Sequence, residues 1–255
     1  MPDFAAQGTP LTEEGMTVAS TGLGVGKPEL WSVMSVETSG CGFLSDRRPK
    51  ILFERHVFHR LTGGKFDADD PDISQPTPGG YGLGGSHQYD RLAAAIAFDR
   101  SAALQSASWG LGQVLGENFQ AAGFANVEAM VQSMVASEDD QFEAMAAFMK
   151  FNGLDHPLRD HDWAGFARRY NGPNYAANNY DGLLADAFQR YSTGPLPDLQ
   201  VRRVQVLLTY KGFLPGAIDG RAGQRTTDAI KAFQRSLGKP DTGLIDAALL
   251  ADLTA

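Results

Sequence analysis

Glu37 is where chemistry could start in this chain. It lies in the run PELWSVMSVETSG at 28–40, where Pro28 suits a helix start. Leu30, Val33 and Met34 make an apolar stripe that position 37 continues, and Gly40 is the expected stop. A carboxyl group on the buried side of a helix loses hydration, and near the C-terminus it also meets the negative end of the dipole. Both effects raise its pKa, which is what a proton donor needs near neutral pH. An ordinary exposed Glu near a helix end has the same spacing, so position alone does not decide between them.

Two further segments have the makings of a binding surface. SWGLGQV at 108–114 combines the aromatic Trp109 and the amide Gln113 with Gly110 and Gly112, small enough to let a ligand reach the backbone. YNGPNY at 170–175 offers Tyr170, Asn171 and Tyr175 after a helix. Sugars are held by such sets, with rings against their C–H faces and amides on their oxygens. A second carboxylate, Glu54, stands among Ile51, Leu52, Phe53, Val57 and Phe58 and is expected to be partly buried. It could activate a water or form a structural ion pair with Arg55 or a neighbouring His. Asp67, Asp69, Asp70 and Asp72 are weaker candidates in a loop.

Other chemistries find less support. His56 and His59 share a helix face but lack an evident third ligand, so no metal is expected. Cys41, the single cysteine, reads as a small packed residue. Neither a Walker pattern nor a dinucleotide fingerprint is present.

Most of the elements that must position these groups are helical. Helices are predicted over 88–104, 127–135 and 161–170, and from Ser137, where Asp140 gives an approximate capping box and Phe142, Met145, Ala146 and Met149 share a face. Residues 66–86, rich in Asp, Pro and Gly, form a long loop, and residues 1–26 read as an irregular arm. STGPLP at 192–197 stops a helix and favours an extended link, so the domains are 1–192 and 198–255 with 193–197 between them. Residues 198–255 read as three short helices with apolar faces at Val204, Leu207 and Leu208, at Ala229, Ile230 and Phe233, and at Ala248, Leu249 and Leu253. Thr226 or Thr227 could cap the second.

The length of 255 residues and 43% hydrophobic content suit a globular two-part protein, and no apolar run could span a membrane. The net charge of −8 is uneven: residues 198–255 carry 8 Lys/Arg and 6 Asp/Glu, leaving 1–197 at −10. That argues against nucleic acid as a partner. No basic start or apolar core precedes Lys27, so a secretory leader is not expected, and a lone cysteine fits a reducing cytoplasm.

In order, Glu37-Thr38-Ser39-Gly40, Gly110-Leu111-Gly112-Gln113 and Tyr170-Asn171-Gly172-Pro173 resemble the motifs of the lysozyme-like superfamily of goose-type lysozymes and soluble lytic transglycosylases. The closer resemblance is to the N-acetylmuramidase family of phage and prophage endolysins. It covers roughly 29–191 and includes KILFERH at 50–56 and Tyr175 and Tyr180. It implies a mainly helical, α+β lysozyme-like domain that cleaves the β-1,4 bond between N-acetylmuramic acid and N-acetylglucosamine. Glu37 would be the proton donor, and Trp109, Gly110, Gln113, Tyr170, Asn171 and Tyr175 would line the saccharide groove.

Residues 198–255 resemble the peptidoglycan-binding domain found beside many wall hydrolases, through Val204-Gln205, Gly212-Phe213, Asp219-Gly220, Gly223, Ala229-Ile230 and Phe233-Gln234. Asp219, Gly220, Arg221, Thr226 and Phe233 would form the wall-binding module, a small three-helix bundle. Asp241-Thr242-Gly243 departs from the Asp-Gly of that pattern. The expectation is a monomeric endolysin acting on bacterial peptidoglycan without cofactor or metal. It would wait in the host cytoplasm until a partner such as a holin opens the membrane. The alternatives are a lytic transglycosylase giving 1,6-anhydro products and a non-catalytic wall-binding protein. Because the groove lies before the link, residues 1–192 are expected to fold and cleave soluble fragments alone.

Overall fold

The computed structural model describes residues 4–38, 40–172 and 175–255, so Ser39, Pro173 and Asn174 of the motifs lie outside the described residues. The expected arm at 1–26 is in fact largely helical. Helix α1 (Glu13–Leu23) is capped by Thr12, whose hydroxyl accepts from the Gly15 amide, and ends at Gly24 with φ +67°. Its glycines mask three apolar residues at helical spacing, Met16, Ala19 and Leu23, all buried. Gly15 is there for room: a Cβ would collide with Asp139, whose carboxylate holds the Thr12 amide and hydroxyl.

Helix α2 (Lys27–Glu37) follows, then strand β1 (Ile51–Phe53) and helix α3 (Arg55–Thr62). Residues 66–86 hold neither helix nor strand, as the composition indicates. The helix expected over 88–104 is two, α4 (His87–Phe98) and α5 (Arg100–Gln105), because Asp99 adopts an extended backbone and caps α5 through the Ala102 amide. Strands β2 (Ala107–Trp109) and β3 (Val114–Leu115) complete a small antiparallel sheet in the order β1-β2-β3, with Ile51 opposite Trp109 and Ser108 opposite Leu115.

Helices α6 (Val127–Ala136) and α7 (Glu138–Phe151) meet at Ser137, whose hydroxyl accepts from the Asp140 amide as the capping pattern requires. Then come α8 (Asp155–Arg159), α9 (Trp163–Tyr170) and α10 (Tyr180–Thr193). α1 packs on α7 and α10 along α2. The core between them includes Leu30, Phe53, Phe58, Trp109, Met130, Met145 and Phe166.

Residues 194–198 run without helix or strand, and the last part consists of α11 (Leu199–Tyr210), α12 (Gln224–Ser236) and α13 (Ala247–Thr254). Val204, Leu208, Ile230, Phe233 and Leu253 form its own core. It is also docked firmly on the larger part. Leu199 belongs to the main core, Val206 packs with Cys41 and Phe43, and the Tyr210 hydroxyl donates to the Gly8 carbonyl at 2.8 Å. Among the described residues no helix is long and apolar enough to cross a membrane.

Candidate active site

Glu37 is the last residue of α2. The helix stops there because Thr38 turns extended and its hydroxyl caps the Met34 carbonyl at 2.7 Å. The predicted stop at Gly40 comes later, at φ +82°, and serves the turn after the helix. Glu37 is half-buried, and Asn171 Nδ2 donates to its Oε1 at 2.9 Å. Burial raises its pKa, the Asn171 bond opposes that, and burial wins.

Asn171 is placed by the end of α9, where its amide closes the helix on the Ala167 carbonyl. Tyr170 precedes it, stacked on Phe166 at 5.5 Å, and its hydroxyl donates to the Gly112 carbonyl at 3.3 Å. Burial and the Glu37 charge both push its phenol up, so it stays neutral. Next to Gly112, Gln113 takes φ +47° and donates from Nε2 to the carbonyls of Gly110 at 2.8 Å and Lys50 at 3.1 Å. A continuous chain of contacts therefore joins the ends of α2 and α9 to the β2–β3 turn. Three segments far apart in sequence meet around one protonatable carboxyl group.

Trp109 is not part of that surface. It is 0% exposed, with its indole N–H on the Leu104 carbonyl at 3.0 Å. The period-two alternation of β2 turns Ala107 and Trp109 inward, a pattern hidden when the segment is read as a glycine turn. Nor do the glycines clear space for a ligand. A Cβ at Gly110 would lie 2.6 Å from Gln141, and one at Gly112 2.6 Å from Met145, so both admit α7 side chains. Tyr175 opens a short 3-10 turn, partly buried on the core, with the Arg168 guanidinium 5.8 Å from its ring centre.

Glu54 is mostly buried at the start of α3. The Tyr81 hydroxyl bonds to it, and His56 Nδ1 lies 3.3 Å from Oε2 without hydrogen-bond geometry. Arg55 turns away and packs its guanidinium beneath Gly80. His59 is taken by Asp67, which also accepts from Ser74. Cys41 is buried and its thiol is pushed up to about 12, which removes it as a nucleophile. Among the described residues no three His, Cys, Asp or Glu cluster as metal ligands would.

A family model described as N-acetylmuramidase matches residues 27–192. The chain belongs to the N-acetylmuramidase family. A second model, described as a putative peptidoglycan binding domain, matches residues 197–253. The muramidase is similar to the crystal structure of a Burkholderia AP3 phage endolysin, with 39% identity over 72% of this chain and 71% of that one, and a TM-score of 0.68. Curated protein sequences give no match. With its two domains this muramidase is a modular peptidoglycan hydrolase.

In the binding domain of the muramidase, most of the expected wall contacts serve the fold. Phe233 is buried in the module core. Thr226 is also buried and lies inside α12, with Gly223 as the cap, so its hydroxyl donates to the Pro215 carbonyl instead. Gln205 holds the Asp219-Gly220 turn by accepting both amides and donating to the Asp219 carboxylate. Gln234 plays a similar part at Thr242-Gly243, accepting the Gly243 amide and donating to the Thr242 hydroxyl, which stands in for the carboxylate. The departure at 241–243 thus keeps the turn. Asp219 and Arg221 remain exposed. The buried pair of Glu138 and Arg202 escaped sequence reasoning. Its one signal was an Arg at 202 beside the apolar stripe of α11.

Proposed function

We propose that Glu37 is the general acid that protonates the leaving oxygen of the β-1,4 bond between N-acetylmuramic acid and N-acetylglucosamine, with water completing the hydrolysis. What carries this reading is the pairing of burial, which raises the Glu37 pKa and so favours its protonated form, with Asn171, which fixes the carboxyl at one oxygen. The carboxyl can then hold its proton on the other oxygen. Asn171 and Tyr170 are positioning residues, while Gln113 and Tyr175 line the adjoining saccharide surface.

Glu54 acts on the fold, holding Tyr81 and facing His56. The enzyme works as a monomer and reaches the wall once a partner such as a holin has opened the membrane.

The test is Glu37→Gln, which keeps size and polarity but cannot donate the proton. Loss of a general acid costs about two to four orders of magnitude in rate. Turbidity of bacterial walls should clear at least about a hundredfold more slowly with the fold retained. Normal clearance by the folded variant would remove Glu37 from the mechanism.

A further inference from the structure

The muramidase domain and the C-terminal module share a cleft of about 460 Å³. Met34 and Ser35 of α2, Thr38 just after it and Arg190 of α10 line one side, and Asp219 and Arg221 of the module the other. A volume of this order holds a small ligand or a few peptide residues. Two contacts tie its sides together. Arg202 Nη2 reaches across to the Gly40 carbonyl at 2.7 Å while the same guanidinium is paired with buried Glu138. Gly40 itself touches the module so closely that a Cβ would lie 2.9 Å from the Ile218 carbonyl oxygen.

Glu37 is not itself in the lining of the cleft, but the next residue, Thr38, is. At about 100° per residue, Glu37 lies about 60° round α2 from Met34 and directly precedes Thr38. In a muramic acid the peptide stem hangs from the same ring whose glycosidic bond Glu37 would protonate, so the stem starts within one sugar ring of Glu37. The charge of the lining fits such a guest. Arg190 and Arg221 make no ion pair among the described residues. Arg190 lies over the Tyr191 ring at 5.5 Å, and Asp219 binds the backbone amide of Arg221 rather than its guanidinium. Two available guanidinium groups facing one cleft, in a chain otherwise acidic, suit carboxylates, which they bind bidentately.

We propose that this cleft is a subsite for the acidic peptide stem of the muramic acid whose bond is cut, with Arg190 and Arg221 receiving its carboxylates. The proposal rests on the reading of Glu37 given above. It makes the C-terminal module part of substrate selection at the bond being broken, in addition to any tethering to the wall.

The test compares the full-length protein with Arg190→Gln, Arg221→Gln and the double variant on two soluble substrates: glycan strands bearing their stems, and the same strands stripped by an amidase. The measured quantity is the ratio of kcat/KM on stem-bearing to stem-free strands. Because each ratio comes from one protein sample, partial misfolding cancels. Losing charge-assisted contacts should lower the ratio about ten- to hundredfold in the double variant, mainly through KM, with smaller falls in each single variant. An unchanged ratio, or an equal loss on both substrates, overturns the subsite. If the unaltered protein cleaves neither substrate, it is the Glu37 reading that fails.

Discussion

Arg202 of α11 and Glu138 of α7 form a fully buried ion pair between the two domains, with Nη1 2.6 Å from Oε2 and Nη2 2.8 Å from Oε1. Glu138 also accepts from the amides of Leu11 and Gly42, so one carboxylate ties the N-terminal segment, the loop after Glu37 and the module together. Burial alone would raise the Glu138 pKa, but the Arg202 charge and these hydrogen bonds outweigh it and hold the group below the usual carboxylate range. Removing one partner leaves the other charged and buried, which costs about 3–5 kcal/mol.

Arg202→Met should therefore unfold at markedly lower denaturant concentration than the unaltered chain, and Arg202→Met with Glu138→Gln, which removes the unpaired charge and keeps an acceptor for the buried amides, should recover part of the loss. The unaltered pair contributes stability above the unfolded-state pKa of Glu138 and loses it as pH falls through the depressed folded value. Urea melts from neutral to acid pH would show the double variant losing less stability on acidification. Equal acid sensitivity would mean that the pair is not what couples pH to the fold.

Truncation after Ser192 is expected to do more than untether the enzyme. It strips Arg202 from Glu138, Leu199 from the main core and Val206 from Cys41 and Phe43. It also removes the donor on the Gly40 carbonyl, three residues from Glu37. The shortened protein should melt lower and lose activity on soluble chitin fragments too, against the autonomy that the link suggests. Retention of full soluble activity at the original melting temperature would show that the module contributes nothing to the catalytic domain.

What the sequence made legible was local. The apolar face of α2, the end of α9, the cap at Ser137 and the three helices of the module each follow from apolar spacing and polar residues within one segment, whereas α2 stops at Thr38 and not at the expected Gly40. Contacts across more than a hundred residues are not encoded that way. Nothing near Arg202 announces Glu138, and nothing near Gly110 announces Gln141, whose side chain fills the space that would otherwise read as room for a ligand. Trp109 was misplaced for a related reason. A three-residue strand is too short for its alternation to stand out, and only its pairing with β1 fixes which side faces the core.

Asn171→Ala should move the pH dependence in a defined direction. The Asn171 bond lowers the Glu37 pKa against the effect of burial, so losing it lets the pKa rise further. The proton-donating form would then persist to higher pH, and the alkaline limb of the kcat profile should shift upward while the maximal rate falls through lost positioning. A fall in rate with an unmoved limb would sever Asn171 from the ionisation of Glu37.

The product decides how the glycosyl centre is completed. With the same proton donor, water leaves a reducing muramic acid, whereas attack by the sugar's own 6-hydroxyl leaves a 1,6-anhydro end that is lighter by one water. Mass spectrometry of digested peptidoglycan should show reducing ends, as membership of the muramidase family leads one to expect. A base for that water would have to stand about 6.5–9.5 Å from the acid in an inverting enzyme. Glu54 holds Tyr81 and faces His56, so Glu54→Gln should lower the melting temperature and leave the product type unchanged. A folded, fully stable Glu54→Gln variant without activity would restore Glu54 as the base. Predominantly anhydro ends from the unaltered protein would instead replace hydrolysis by transglycosylation, with Glu37 still moving the proton.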